Sequence, residues 1–289
     1  MKKKAFALTM AAVMAAASLA GCGSASEKTT AAETAAETTA SGDEAEETTA
    51  SGDEAEAEET EAEAEGGEGG VLIMATNAEF EPWEYHEGDG IVGIDVEIAQ
   101  AIADHLGMEL QIEDMAFDAI IPSVVSGKAD IGMAAISYDE DRAASVDLSE
   151  NYASSSLVVL VAADSDIASA DDLQGKLVGA QTGTTGELTA SEMVGDSNVE
   201  RYNSYFEAVQ SLLTGKIDAV IIDGAPAKVF LTENEGQIKQ VGDALSTESY
   251  AAVLAKEDTE LLEKVNAAIT ELQESGEIDT IMNKYIPAE

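Results

Sequence analysis

Past residue 70, short apolar runs alternate with stretches in which apolar positions recur every three or four residues. "VLIMAT" (71–76), "ELQIED" (109–114) and "IGMAAI" (131–136) have the length and patterning of strands. "SSLVVLVA" (155–162) and "SYAAVLAK" (249–256) are longer apolar runs, each read as one strand. Further strands are predicted at "KLVGAQ" (176–181), "NVERY" (198–202) and "DAVIID" (218–223). In "GIDVEIAQAIADHLG" (93–107), Ile94, Ile98, Ile102 and Leu106 fall four apart on one helical face. Gly107 then stands where a helix ends on a left-handed residue. "FDAIIPSVVSG" (117–127) predicts a short helix with a kink or late start at Pro122. Two helices close the chain, at 258–275 and 278–285. Strand–helix alternation of this kind predicts an α/β fold with largely parallel sheets.

One segment echoes another. "SVVSGKADI" (123–131) matches "SLLTGKIDA" (211–219) in pattern. Each reads as a helix end, a C-cap glycine, a lysine that favours the helix dipole, then entry into a strand. Two readings stand: a joint type that recurs in any α/β protein, or two lobes of similar topology. Under the second, one lobe starts near "SSLVVLVA" and the chain returns to the first near "SYAAVLAK". Two crossings make a two-strand hinge, with a ligand cleft at the strand ends.

The first 70 residues follow another pattern. Met1 and three lysines precede an apolar stretch too short to span a membrane, which reads as a secretory signal over 1–21. It ends Leu19-Ala20-Gly21-Cys22, and Cys22 is the sole cysteine. Small residues before a cysteine resemble a bacterial lipobox, which implies cleavage there and lipidation of Cys22. The mature chain then has no disulfide and no cysteine for a metal. Residues 22–70 are acidic and without aromatics, and "ETTASGDEAE" occurs twice. So polar a segment cannot offset its ordering entropy, and it reads as a disordered tether of about 40 Å.

Charge excludes some partners. The chain has a formal net charge of −44, and the part after Gly70 retains 42 acids against 10 bases. Such a surface repels nucleic acid and anionic lipid. No catalytic signature or metal-ligand spacing stands out, and neither His86 nor His105 has a zinc-helix arrangement. No cofactor is expected. "TGTTGE" (182–187) follows a strand and precedes a helix, so it reads either as an anion-holding loop or as a plain capped turn. "YDEDRAAS" (138–145) sets Arg142, one of two arginines, behind three acids. Arg142 is either a fixed cation inside a cleft or half of a surface ion pair. Asp139 suits an N-cap in both cases.

Taken together, "ATNAEFEPWEY", "GIDVEIAQAIADHLG", "FDAIIPSVVSGKADIGMAAIS", "VDLSENY", "DLQGKLVGAQTGTT" and "LLTGKIDAVIIDG" resemble, in this order, family 3 of the bacterial extracellular solute-binding proteins. These are the polar-amino-acid receptors of ABC importers, and glutamine-binding members are the most similar. The resemblance implies a two-lobed periplasmic-binding-protein fold of type II, with a two-strand hinge and the ligand in the cleft. Lobe 1 would comprise 71–155 and 252–289, and lobe 2 would comprise 156–251. It also implies a monomeric, extracytoplasmic lipoprotein, anchored at the cell membrane, that passes a free amino acid to a permease without chemistry.

Position by position, the resemblance gives Phe80 as the aromatic over the ligand and Phe117 as a pocket wall. Asn77 would read the ligand side chain, and Ala135 and Ser137 would meet its α-groups. Thr182, Thr184, Thr185 and Arg142 would receive the carboxylate, and Asp223 the ammonium. From the residues alone, Asp223 reads equally as a cap for the next helix, and Phe80 as core. Members that bind basic amino acids often have Asp at the position of Asn77, so a polar or neutral ligand is expected rather than a basic one. Glutamine-binding members carry a lysine near Gln181 and a histidine near Ile222, and this chain has neither. Two alternatives accompany this reading: a prephenate-like dehydratase on the same fold, and a sensory ligand-binding domain.

Overall fold

The computed structural model describes residues 69–286, so the predicted signal, Cys22 and nearly all of the tether lie outside the described residues. The chain opens with β1 (Val71–Thr76), a hairpin sheet of β2 (Glu79–Phe80), β3 (Glu84–Glu87) and β4 (Gly90–Val92), then α1 (Ile94–Leu106). β5 (Glu109–Asp114), α2 (Phe117–Val125), β6 (Ile131–Gly132), α3 (Glu140–Ser145) and β7 (Val146–Leu148) follow. The second group comprises β8 (Ala153–Ala162), β9 (Val178–Gln181), α4 (Thr185–Val194), β10 (Val199–Tyr202), α5 (Tyr205–Leu213), β11 (Ala219–Asp223), α6 (Gly224–Glu233) and β12 (Ile238–Tyr250). The chain then returns through β13 (Val253–Ala255) to α7 (Thr259–Ser275) and α8 (Glu277–Tyr285).

The strands form two five-stranded sheets, ordered β5-β1-β6-β13-β7 and β10-β9-β11-β8-β12. β1 runs parallel to β5 and β6, and β9 runs parallel to β10 and β11. The sheets are mixed rather than largely parallel. β13 arrives from the other lobe and runs against β6 and β7, while β8 runs against β11 and β12. β11 is buried along its whole length, as an unbroken apolar strand covered on both faces must be. In the first lobe, Ile98 and Ile102 of α1 and Val265 and Ile269 of α7 pack with Leu72 and Met74. Ile120 and Val124 of α2 pack with Ala75 and Val253.

The internal echo is structural. Gly127 and Gly215 both take left-handed φ, at 71° and 67°. Asp130 accepts from the amide of Ile73 at 2.8 Å, and Asp218 accepts from that of Leu177 at 2.8 Å. Each lobe therefore ties its helix-to-strand joint to a neighbouring chain segment by the same carboxylate–amide contact.

Two strand readings need correction. "IGMAAI" leaves the sheet after Gly132, because Ala135 takes φ 48° and its amide donates to Asp95 Oδ2. "SYAAVLAK" is not one strand but the end of β12 and the start of β13, broken at 251–252, where the chain crosses between lobes. The other crossing lies between β7 and β8. The two are tied by Ser149 N to Ala252 O and Tyr152 N to Tyr250 O, both 2.9 Å. The hairpin sheet, β7 and all of β12 before Ser249 were not apparent in the sequence, being short or polar.

Candidate ligand-binding site

The carboxyl ends of the strands face the gap between the two sheets. β1 ends beside Asn77, β9 ends on Gln181 and β11 ends on Asp223. β6 gives way to the irregular segment that carries Ala134, Ala135 and Ser137. Together with Phe80, Glu84, Phe117, Arg142, Thr184, Thr185 and Tyr205 these residues line one cavity with a free volume of about 10 Å³. Its walls stand close, leaving room for little more than one water-sized body at its centre.

Three contacts bring the walls together across the lobes. Gln181 Nε2 donates to Asn77 Oδ1 at 2.8 Å. The ring of Phe80 stacks on Tyr205, with centroids 5.5 Å apart. Arg142 Nη2 donates to the carbonyl of Gly183 at 2.7 Å. Asn77 also donates to Met115 O, so both ends of its amide are engaged.

Arg142 lies inside the cleft, 8% exposed. Asp139 is the N-cap of α3 and accepts from the amides of Asp141 and Arg142, which turns the acidic first turn towards helix capping. The guanidinium donates to the carbonyls of Ser137 and Gly183 and lies 5.6 Å over the ring of Phe117. Among the described residues no carboxylate lies within ion-pair distance of it. Burial pushes its pKa down, with Asp139 and Glu248 opposing that.

Asp223 is the buried counterpart. It occupies the N-cap position of α6, yet its side chain makes no capping bond. It accepts instead from the Tyr250 hydroxyl at the hinge. Burial raises its pKa to about 7, with the Tyr250 bond opposing. A carboxylate at a strand end that neither caps nor meets a cation is poised for a cationic group.

Nine of the ten residues proposed from the sequence as ligand contacts line this space. The exception is Thr182, whose amide and hydroxyl both donate to Tyr202 O. The Gly/Thr loop is also partly closed by its own helix, since Gly183 N donates to Glu187 and Thr184 caps α4. Four wall residues were not proposed: Glu84, Ala134, Gln181 and Tyr205. Gln181 was within reach of the strand-end rule, because it closes β9 as Asp223 closes β11. Tyr205 opens the helix after β10. Glu84 sits in a hairpin outside that rule, and no sequence signal marks it.

A profile of the bacterial extracellular solute-binding proteins, family 3, matches residues 72–288. The chain is 33% identical over 221 residues to the arginine-binding extracellular protein ArtP of Bacillus subtilis, covering 75% of this chain and 87% of that protein. It is 31% identical to a probable histidine-binding protein of Neisseria gonorrhoeae, over 76% of this chain and 85% of that one. Among solved structures, an ancestral arginine-binding protein bound to glutamine superposes with TM-score 0.72 at 35% identity, covering 75% of this chain and 98% of that one. The arginine-, lysine-, histidine-binding protein ArtJ of Geobacillus stearothermophilus gives TM-score 0.72 at 30% identity, covering 76% and 96%.

Proposed function

Because the chain belongs to family 3 of the bacterial extracellular solute-binding proteins, with their two-lobed type II fold and no enzymatic role, we propose that it captures a free amino acid for an ABC importer. Capture takes place in the cleft, by closure of the lobes about the crossings at 148–153 and 250–253. The observation that carries this reading is a pair of opposite charges left open in one buried space. Among the described residues the Arg142 guanidinium hydrogen-bonds only to carbonyls, and Asp223 meets the Tyr250 and Ser155 hydroxyls and its own backbone amide but no cation. A zwitterion supplies the missing partner to each: its carboxylate to the planar guanidinium fork, its ammonium to Asp223. Ser137 and Thr185 add hydrogen-bonding capacity around the carboxylate, Thr184 orders the loop through Gln181 O and Glu187 N, and Phe80, Phe117 and Tyr205 exclude water. Thr182 fastens the loop to Tyr202 rather than meeting the ligand.

In the same reading, lipid on Cys22 and the acidic segment 22–70 hold the domain outside the cytoplasm, within reach of the permease. Relatives named for arginine, histidine and cystine support amino acids as the ligand class. The test is a thermal-shift screen of the twenty amino acids, followed by titration of the best ligand and its α-amide. A ligand at 100 times its Kd is expected to add about 2.7 kcal/mol of stability. The α-amide, lacking the charge for Arg142, is expected to bind on the order of a hundredfold more weakly. Equal binding of acid and amide would refute the assignment of Arg142.

A further inference from the structure

Glu84 opens β3 and faces the cavity, yet it is 1% exposed and neither of its carboxyl oxygens has a hydrogen-bond partner. Directly behind it is Asp95, in the first turn of α1 and fully buried. Asp95 Oδ2 accepts from Ala135 N at 2.7 Å and from the Tyr152 hydroxyl at 2.8 Å, while its Oδ1 has no partner. Asp95 N donates to the carbonyl of Trp83 at 2.9 Å, which seats the two carboxyl groups as neighbours, and each perturbs the titration of the other. Two ionised carboxylates are both acceptors and cannot bond; a single proton between them supplies the missing donor.

The surroundings offer no other remedy. Asp223 and Asp114 add negative field at Glu84, and Tyr152 and Tyr250 are buried neutral phenols. The charge of Arg142 is held at the carbonyls of Ser137 and Gly183. Neither acid forms an ion pair among the described residues. Gly93 fixes the arrangement: its φ of 134° starts α1 where a Cβ would meet the Trp83 carbonyl oxygen at 2.2 Å, and so holds Asp95 against the residues around Trp83.

We propose that Glu84 and Asp95 share one proton in the empty site, that a ligand with a cationic side chain displaces it, and that this pair rather than Asn77 sets the choice between cationic and neutral amino acids. On entry of the cation the Glu84 O–H bond breaks and the proton passes to solvent. The pair goes from one negative charge to two, and the cation balances the second. A neutral amide leaves the proton in place and meets a carboxylic acid. The expectation against a basic ligand rested on Asn77, whose amide is engaged by Met115 and Gln181. Burial, which holds Glu84 well above the usual carboxylate range and Asp95 at about 7, is in keeping with the shared proton.

This inference rests on the cleft being an amino-acid site, and the experiment separates the two. The full chain is titrated near pH 7 with L-arginine, L-lysine and L-glutamine, in two buffers of different ionisation enthalpy. Release of about one proton is expected with a cationic ligand that binds, and about none with glutamine. Infrared difference spectra are expected to show a carboxylic-acid carbonyl band lost when the cationic ligand is added, a readout that needs no variant. Glu84→Gln is expected to weaken cationic ligands on the order of a hundredfold and to abolish proton release. Glutamine binding without binding of arginine or lysine would overturn the inference alone. So would cationic binding without proton release, or an unchanged affinity in Glu84→Gln. Silence towards all twenty amino acids would overturn the reading of the site, and this inference with it.

Discussion

Arg142 shows how one side chain is assigned by the company it lacks. A surface ion pair with its three acidic neighbours would contribute under about 1 kcal/mol and leave the guanidinium in water. The side chain is instead buried, oriented by two carbonyls and free of carboxylates, an arrangement that favours an incoming anion over folding stability. Arg142→Ala is therefore expected to weaken amino-acid binding by about 3–5 kcal/mol while changing the unfolding free energy little. Arg142→Lys keeps charge but not the planar fork, and an intermediate loss is expected. Calorimetry that places Arg142→Ala within threefold of the parent would return this residue to a structural role.

At the scale of elements, α3 is a device for aiming that arginine. It has only six residues, and a helix so short depends on its cap and its neighbours rather than on propensity. Asp139 supplies the cap to two amides, at 2.9 and 3.1 Å. Asp139→Ala is expected to lower stability by about 1 kcal/mol in chemical denaturation. Binding should weaken by less than about tenfold, because the Ser137 and Gly183 carbonyls still hold the guanidinium. A hundredfold loss would mean that Asp139 contacts the ligand or sets its charge directly. The break between β12 and β13 belongs to the same scale. An apolar run that reads as one strand crosses from one sheet to the other, because Ala251 N donates to Ile136 O and Ala252 N to Ser149 Oγ.

For the whole molecule, buried acids couple stability to pH. Asp223 moves from 3.8 to about 7, so between those values the folded state binds more protons than the unfolded one. Stability then falls as pH rises through that window. Asp95 and Glu84 act in the same direction, and repulsion within a chain of net charge −44 adds to it. The thermal midpoint of the ligand-free protein is thus expected to rise as pH falls from about 8 to about 5. Asp223→Asn should flatten that rise, since it removes one of the titrating groups but hardly alters net charge. An identical slope in the variant would assign the whole effect to surface repulsion. The amino terminus is tested separately: Cys22→Ser is expected to abolish partition into detergent, and partition equal to the parent's would refute lipid attachment.

The sequence by itself determined the α/β class, most strands and helices, the echo at Gly127 and Gly215, the cap at Asp139 and nine of the cavity's wall residues. The elements, the echo and the cap follow from period and turn chemistry, which are local, and the wall residues from a family resemblance spread over the folded part. Only the tertiary structure decided that Arg142 points inward, that Asp223 does not cap its helix, and that Thr182 turns towards Tyr202. It alone closed the hairpin that sets Glu84 against Asp95. The physical reason is common to these cases. Whether a charged side chain is partnered depends on groups brought together from distant parts of the chain. Glu84 and Asp95 meet across a hairpin and a helix start, and Arg142 reaches a carbonyl 41 residues away in the opposite lobe. Periodicity is local and reports which residues face inward, but not what they face.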